Sequence, residues 1–255
     1  MAEKYGFFST EQTNEVVFIR FEGDLLFRIT DLSARDAMLD YLDHVSENDS
    51  IKVIVIISSS SKSGIEEYFE FYQRLSKSRW DQNTIHRLCN VVDQFILKIM
   101  DLNKIVVHAN SGRVISLFLN ISLACDYRII ADNTLFQNPY IELGLVPKGG
   151  GPFFLSKMLG PSKAYEILLS NDDLTADEAL RLGIVDQVVP LNELEGAALE
   201  VAHRFALKPV QTLAGIKRLL NYSVKDLKGY LDLENKELLK IVEQSFWEQS
   251  KTDRD

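Results

Sequence analysis

A short segment in the second half of the chain contains several residues that are able to transfer protons. It spans residues 140–151 and includes Tyr140, Glu142 and Lys148 before three successive glycines. A tyrosine hydroxyl, a carboxylate and an amine each give or accept protons in enzymes, and glycines let main chain approach a ligand closely. The segment therefore indicates either an active site with unusual chemistry or the shell of one.

Each of these side chains also has an ordinary structural explanation. Tyr140 is either a proton or hydrogen-bond donor or a packed aromatic residue with a satisfied hydroxyl. Glu142 is either a base, on the same face as Tyr140 if the segment is a strand, or a solvated or capping carboxylate. Lys148 either holds a phosphate group or polarises a carbonyl group of a ligand, or it belongs to a surface turn. His108 follows a predicted buried strand, where a satisfied core imidazole is the simpler interpretation.

The predicted elements bring small polar residues to the ends of buried strands. Residues 15–23 alternate as a strand, and residues 51–58 form a β-branched run typical of a strand buried on both faces. A polar loop with Gly64 follows, and a helix is predicted from about Ile65. Residues 104–112 repeat the pattern of a strand followed by Ser-Gly. Loops of this kind are where α/β folds bind ligands.

Helices are predicted between and after these strands. One begins with Ser33 as its N-cap, and another spans about residues 84–100. From residue 159 onward the chain is mainly helical, with Thr175 as a cap and a short edge strand at 184–189. Three helices with apolar stripes follow, and such stripes must pack on the chain's own core or on another subunit.

Composition limits the classes of protein to which the chain can belong. The 255 residues suffice for one large domain, or for a domain with an appendage, without stabilising disulfides. The formal net charge of −9 argues against nucleic-acid binding. Cys89 and Cys125 lie among apolar neighbours, which is typical of reduced core thiols. Because no secretion signal or membrane-spanning run is present, we expect a cytoplasmic protein. The spacing of His and Cys does not indicate a metal site.

The pattern from about residue 103 to 190 resembles the crotonase family, also called the enoyl-CoA hydratase/isomerase superfamily. The resemblance rests on "LACDYRIIADNTLF", "LGLVPKGGG" and "LGPSKAYEILLSNDDLTADEALRLGIVDQVVP". It implies an α/β fold with a spiral of ββα units in residues 1–195. It also implies a C-terminal helical region in residues 196–255, used to assemble homotrimers or homohexamers. The implied ligand is an acyl-CoA thioester, with coenzyme A as part of the substrate and no other cofactor.

The resemblance assigns two main-chain N–H groups to the thioester carbonyl. Carried over to this sequence, they belong to Ile65, which follows Gly64, and to Leu117. Donors that are fixed in place oppose negative charge developing on the carbonyl oxygen. The family usually has three glycines where this chain has Ser116, Leu117 and Phe118. The added bulk predicts a smaller or differently shaped acyl pocket.

The usual acidic positions of the family hold other residues in this chain. The two glutamates of the hydratases align with Asn120 and Tyr140, and the single acid of some isomerases aligns with Lys148. We therefore expect isomerisation, carbon-carbon cleavage or decarboxylation instead of standard hydration. Tyr140 and Glu142 are the candidate catalytic residues, and Gly64, Asn120 and Lys148 are candidate substrate-binding residues. The alternative is a non-catalytic subunit or interaction protein that retains the fold.

Overall fold

The computed structural model describes residues 2–21, 26, 32–60, 64–77, 82–170 and 172–252. Within these residues the chain forms a nine-stranded, mainly parallel sheet with helices on both faces. The predicted α/β fold class is therefore confirmed.

The strands, in chain order, are β1 (Ala2–Lys4), β2 (Phe8–Thr13), β3 (Val16–Phe21), β4 (Val53–Ser60), β5 (Ile105–Ile115), β6 (Tyr127–Ala131), β7 (Leu135–Gln137), β8 (Leu174–Thr175) and β9 (Gln187–Val189). The α-helices are α1 (Leu32–Glu47), α2 (Ile65–Lys77), α3 (Gln82–Asp101), α4 (Ser116–Ser122), α5 (Gly151–Leu159), α6 (Pro161–Leu169), α7 (Ala176–Arg181), α8 (Leu194–Ala206), α9 (Val210–Asn221) and α10 (Leu227–Thr252). Short 3-10 helices span Leu191–Glu193 and Tyr222–Val224.

The main sheet places the ends of β4 and β5 at the same edge. Its order is β1-β2-β3-β4-β5-β6-β9. The first three strands pair antiparallel, and β3, β4, β5, β6 and β9 run parallel. At the end of the β4–β5 ladder, Ser60 pairs with Gly112. The start of α2 and the start of α4 therefore follow neighbouring strand ends.

Strand β5 takes part in two sheets. Its first part pairs with β4 and β6, whereas residues 113–115 pair with residues 135–137 of β7. Gly112, with φ of 73°, lies between the two parts and has the left-handed backbone conformation that favours glycine. The second pairing places Gln137 opposite Ile115, immediately before α4.

Separate hydrophobic clusters cover the two faces of the main sheet. On one face, Ala198 and Ala202 of α8 pack against strand residues such as Val55 and Val107. On the other face, α1, α3 and α4 contribute buried side chains that include Leu42 and Ile96. Cys89 and Cys125 are buried free thiols. None of the described helices combines the length and the apolar character needed to cross a bilayer.

The structure differs from the sequence predictions at the N-terminal end. The β1–β2 hairpin was not predicted. Ser33 was expected to be an N-cap, but α1 begins at Leu32, so Ser33 lies inside the helix. Residues 61–63 of the predicted polar loop lie outside the described residues.

Candidate active site

The first main-chain N–H group of α2 is bonded to a buried glutamine. The N–H of Ile65 donates to Oε1 of Gln137 at 3.2 Å. A Cβ at Gly64 would stand 3.4 Å from the same oxygen and 3.5 Å from Cδ of Arg113, which are ordinary van der Waals distances. Gly64 therefore lies next to the end of β7, with space for a small side chain.

The start of α4 supplies the second predicted donor. No side chain caps this helix, which follows directly after β5. The first N–H groups of a helix have no acceptor within the helix. Across the described residues, no acceptor is bonded to the N–H of Leu117.

Gln137 contacts both the start of α2 and the start of α4. Its side-chain oxygen accepts from Ile65, and its main-chain carbonyl accepts from Oγ of Ser116 at 2.7 Å. In the β5–β7 ladder it is the partner of Ile115, two residues before Leu117. The structure thus brings the α2 and α4 N-termini to one residue that sequence reasoning had not singled out.

The side chains of Leu117 and Phe118 pack inward from α4. A Cβ at Gly149 would stand 3.5 Å from Cδ1 of Leu117, so the leucine lies against the 149–151 turn. Phe118 lines an apolar cavity of about 70 Å³. Both side chains are buried. The side chains of Leu117 and Phe118, which stand where the family has glycines, therefore fill space around α4. They do not remove the main-chain N–H of Leu117.

Asn120, Tyr140 and Lys148 meet in one buried network. Nδ2 of Asn120 donates to the main-chain carbonyl of Lys148 at 2.9 Å, and the Tyr140 hydroxyl lies 3.4 Å from the same oxygen. Tyr140 is only 1% exposed, and burial raises the pKa of its hydroxyl well above the usual value. Its ring packs edge-on against Tyr68, with 6.2 Å between the ring centroids. The three positions that align with family carboxylates are thus adjacent in space.

The Lys148 ammonium group is held between two carboxylates. It forms ion pairs with Asp93 of α3 and, at 3.2 Å, with Glu234 of α10. Glu234 also accepts from the N–H groups of Gly149 at 2.7 Å and Gly150 at 3.0 Å. Burial alone would lower the pKa of Lys148, but Glu234 and Asp93 raise it above its ordinary value. Lys148 is therefore a fixed buried cation and not a surface-turn lysine.

Sequence reasoning missed both carboxylate partners of Lys148. Asp93 is 55 residues before it in the chain, and Glu234 is 86 residues after it. No motif links such distant positions. The one available signal was an acidic residue within the apolar stripe of α3, where Asp93 lies between buried Val92 and Ile96.

Glu142 lies apart from this network. Residues 140–144 form a turn and not a strand, so the two-residue spacing does not place Glu142 and Tyr140 on one face. Glu142 is exposed, whereas Tyr140 is buried. The structure does not bring these two candidate catalytic side chains together.

A chain of neutral polar groups borders the apolar cavity. Oγ of Ser58 lies 3.4 Å from Nε2 of His108, and Nδ1 of His108 lies 3.1 Å from Nδ2 of Asn110. Burial lowers the pKa of His108 to about 3, and Arg128 contributes in the same direction. An imidazole with so low a pKa is a weak base at neutral pH. We therefore interpret Ser58, His108 and Asn110 as a structural group, although a serine next to a histidine is also the arrangement of a nucleophile and its base.

The main-chain N–H groups of Ile65 and Leu117 lie at the starts of α2 and α4, and Asp93 and Glu234 are both paired with Lys148. No set of three or more potential metal-binding side chains is grouped in the part of the chain that the structure describes.

Comparisons with known proteins agree with this fold. The family model described as enoyl-CoA hydratase/isomerase matches residues 29–251. A short-chain-enoyl-CoA hydratase from Clostridium acetobutylicum is 31% identical over 65% of this chain and 62% of its own length. A trans-2-decenoyl-[acyl-carrier-protein] isomerase from Streptococcus mutans is 26% identical over 78% and 76% of the two chains. The crystal structure of an enoyl-CoA hydratase from Bacillus halodurans superposes with a TM-score of 0.80 at 22% identity, covering 92% of this chain and 95% of that one.

Proposed function

This chain belongs to the enoyl-CoA hydratase/isomerase (crotonase) family, and we propose that it binds an acyl-CoA thioester and stabilises an enolate. The thioester carbonyl oxygen accepts hydrogen bonds from the N–H groups of Ile65 and Leu117. One such fixed donor is typically worth about 2.7 to 4 kcal/mol in the transition state. The ligand enters as the coenzyme A thioester itself, so the proposed chemistry uses no further cofactor.

The observation that carries this proposal is the position of Gln137. An oxygen atom already accepts a hydrogen bond from the N–H of Ile65, and it belongs to a residue paired in register beside the start of α4. An acceptor oxygen thus fits against the first donor. A second donor, the N–H of Leu117, belongs to the second residue of the neighbouring helix α4.

The proposed reaction is cleavage of a carbon-carbon bond, with decarboxylation as the simplest case. In a malonyl-type thioester, the bond between the α-carbon and the carboxylate breaks, CO₂ leaves, and the electron pair forms the enolate. This step requires no base, and the buried carboxylates near Lys148 are already paired. The α-carbon then takes a proton from the neutral hydroxyl of Tyr140, which regains one from water. Standard hydration would instead need two free carboxylates, and their aligned positions hold Asn120 and Tyr140.

A second candidate is a non-catalytic acyl-CoA-binding protein. The observation that favours it is the buried network of Asn120, Tyr140 and Lys148, in which each polar group already has a protein partner. Turnover separates the two proposals, because both predict thioester binding and only the first predicts product.

Ile65→Pro tests the proposed donor directly. Ile65 is the first residue of α2, a position that tolerates proline, so the substitution removes the N–H together with its hydrogen bond to Gln137 while keeping the helix. We expect decarboxylation of malonyl-CoA or methylmalonyl-CoA to fall by about 100- to 1,000-fold. Ile65→Val retains the N–H and is the matched control. Equal rates for these two variants would exclude this donor from catalysis.

Binding is measured independently of turnover by thermal denaturation with acetyl-CoA. A ligand that binds only the native state adds about 2.7 kcal/mol of stability at a hundredfold excess over Kd, which raises the Tm. An unchanged Tm with both acetyl-CoA and free CoA would contradict thioester binding. Tyr140→Phe then tests the proton donor, and we expect it to slow protonation of the enolate at its α-carbon without weakening acetyl-CoA binding.

A further inference from the structure

The side-chain amide of Gln137 has its orientation fixed by its two partners. Oε1 accepts from the N–H of Ile65 at 3.2 Å, and Nε2 donates to Oδ2 of Asp173 at 3.2 Å. The reverse orientation would place the NH₂ group against an N–H donor and the oxygen against a carboxylate. Gln137 is 5% exposed, so its amide is largely shielded from water. The oxygen is therefore the atom that faces Ile65.

This oxygen stands where the proposed function requires the ligand's carbonyl oxygen. A main-chain N–H forms one strong hydrogen bond, so a thioester carbonyl can use the N–H of Ile65 only after the Gln137 oxygen has left it. Any carbonyl ligand therefore binds less tightly, because the hydrogen bond between Ile65 and Gln137 must first be broken. Free CoA, whose thiol carries no carbonyl, does not compete for this donor.

We propose that Gln137 is a specificity-determining residue that competes with the thioester carbonyl for the N–H of Ile65. The inference rests on the proposed function. Because the amide oxygen occupies this donor, a carbonyl compound binds only when the rest of the ligand supplies enough affinity to displace it. A CoA thioester meets this condition through its CoA portion, whereas a small ester or ketone does not.

Asp173 holds the Gln137 amide in the position in which its oxygen is bonded to Ile65. Its carboxylate accepts from Nε2 of Gln137, and hydrogen bonds to charged groups are stronger than those between neutral groups. Asp173 lies immediately before β8, whose Leu174 and Thr175 pair with β7. The anchor is thus held by the same small sheet that carries Gln137. Asp173→Asn keeps an acceptor oxygen but removes the charge, so it weakens the block without removing Gln137.

The test compares acetyl-CoA and free CoA as ligands of the full chain by isothermal titration calorimetry. Gln137→Ala removes the competing oxygen, and we expect the Kd for acetyl-CoA to fall by about threefold to tenfold, the usual worth of one hydrogen bond. The Kd for free CoA stays unchanged. Gln137→Leu fills most of the same space without an acceptor. Comparing it with Gln137→Ala therefore separates the effect of the lost hydrogen bond on the Kd from the effect of the added space. Asp173→Asn gives a smaller fall in the same direction.

Three results would overturn the inference. An unchanged Kd for acetyl-CoA in Gln137→Ala and Gln137→Leu would show that the amide does not compete, while binding by wild type would leave the proposed function intact. A higher Kd in both variants would show that Gln137 contacts the ligand favourably. An equal gain for acetyl-CoA and free CoA would show that the carbonyl is not the group excluded.

A ligand-free measurement distinguishes failure of the inference from failure of the proposed function. The amide proton of Ile65 is hydrogen-bonded in the unliganded protein, so we expect its hydrogen exchange to be faster in Gln137→Ala than in wild type. Saturating acetyl-CoA slows exchange in both proteins. Exchange that is equally slow without ligand would contradict the block, and absence of any acetyl-CoA effect in either protein would contradict the proposed function as well.

Discussion

Among the residues of the site, Lys148 has the largest electrostatic role. Its ammonium group forms ion pairs with two carboxylates, and all three side chains are largely buried. Removing one partner of such a group leaves charge buried without compensation, which typically costs about 3–5 kcal/mol. We therefore expect Lys148→Met to lower the free energy of unfolding by about that amount in urea denaturation.

A surface lysine provides the matched control for this prediction. Lys163 pairs with Glu166 on the exposed face of α6, and exposed pairs typically contribute less than about 1 kcal/mol. Lys163→Met should therefore have little effect. Adding Asp93→Asn and Glu234→Gln to Lys148→Met should recover part of the lost stability, because it removes the uncompensated charges. Equal destabilisation by Lys148→Met and Lys163→Met would contradict the buried-cation interpretation.

His108 predicts a specific pH dependence of stability. Burial holds its pKa at about 3 in the folded chain, against an ordinary value of 6.5. Between these two values the unfolded chain binds a proton that the folded chain does not. Stability therefore falls on acidification from about pH 6.5 towards pH 3, by at most about 1.4 kcal/mol per pH unit from this residue.

The measurement is urea denaturation of the wild type and His108→Gln at several pH values. The glutamine variant should show a shallower slope across this window, whatever its stability at neutral pH. His44→Gln, a substitution at an exposed histidine, should retain the slope because His108 is still present. Parallel curves for wild type and His108→Gln would mean that His108 does not remain neutral.

At the scale of single elements, the N-terminus of α7 can be tested cleanly. The N–H of Glu178 donates to Oγ1 of Thr175 at 3.3 Å, and the N–H of Thr175 donates to Oε2 of Glu178 at 3.1 Å. This reciprocal capping box was predicted in part by the threonine cap. Thr175→Ala should cost about 1 kcal/mol in urea denaturation, whereas Thr175→Ser should cost little because it retains the hydroxyl. An unchanged free energy of unfolding in Thr175→Ala would show that α7 is held by packing alone.

Elements whose signals are local were predictable from the sequence. The start of α2 at Ile65 follows from the polar loop and the apolar spacing after it, and β9 was predicted as an edge strand. Thr175 and Gly183 bound α7 as expected, with Gly183 at φ of 72°. The β1–β2 hairpin was missed because residues 9–13 are all polar, including the buried Thr10, so apolar and polar residues do not alternate there.

The parts of the site that depend on tertiary contact were not predictable. Alignment with the family pattern identified Asn120, Tyr140 and Lys148, and these residues are adjacent in the structure. Their partners come from helices far away in sequence, and Gln137 reaches Ile65 only because β5 turns from one sheet into the other. A single sequence contains no local signal for such pairings.

At the scale of the whole molecule, α9 presents an apolar face that the described chain leaves uncovered. Leu219 is 77% exposed, Leu220 is 68% exposed, and Tyr222 in the following 3-10 turn is 71% exposed. Exposed apolar side chains that lie near one another are typical of surfaces that contact another protein. The sequence resemblance implies homotrimers or homohexamers, and this face is our proposed contact between subunits.

Assembly through α9 can be tested separately from folding. We expect wild type to have the mass of a trimer or hexamer in light scattering after size exclusion. Leu219→Glu combined with Leu220→Glu should give a monomer, because charge would have to be buried in the contact. Since both side chains are exposed within one chain, the circular dichroism spectrum should not change. Gln211→Glu, on an exposed position of the same helix, should leave the oligomer intact. A monomeric wild type would show that another partner, or none, covers this face.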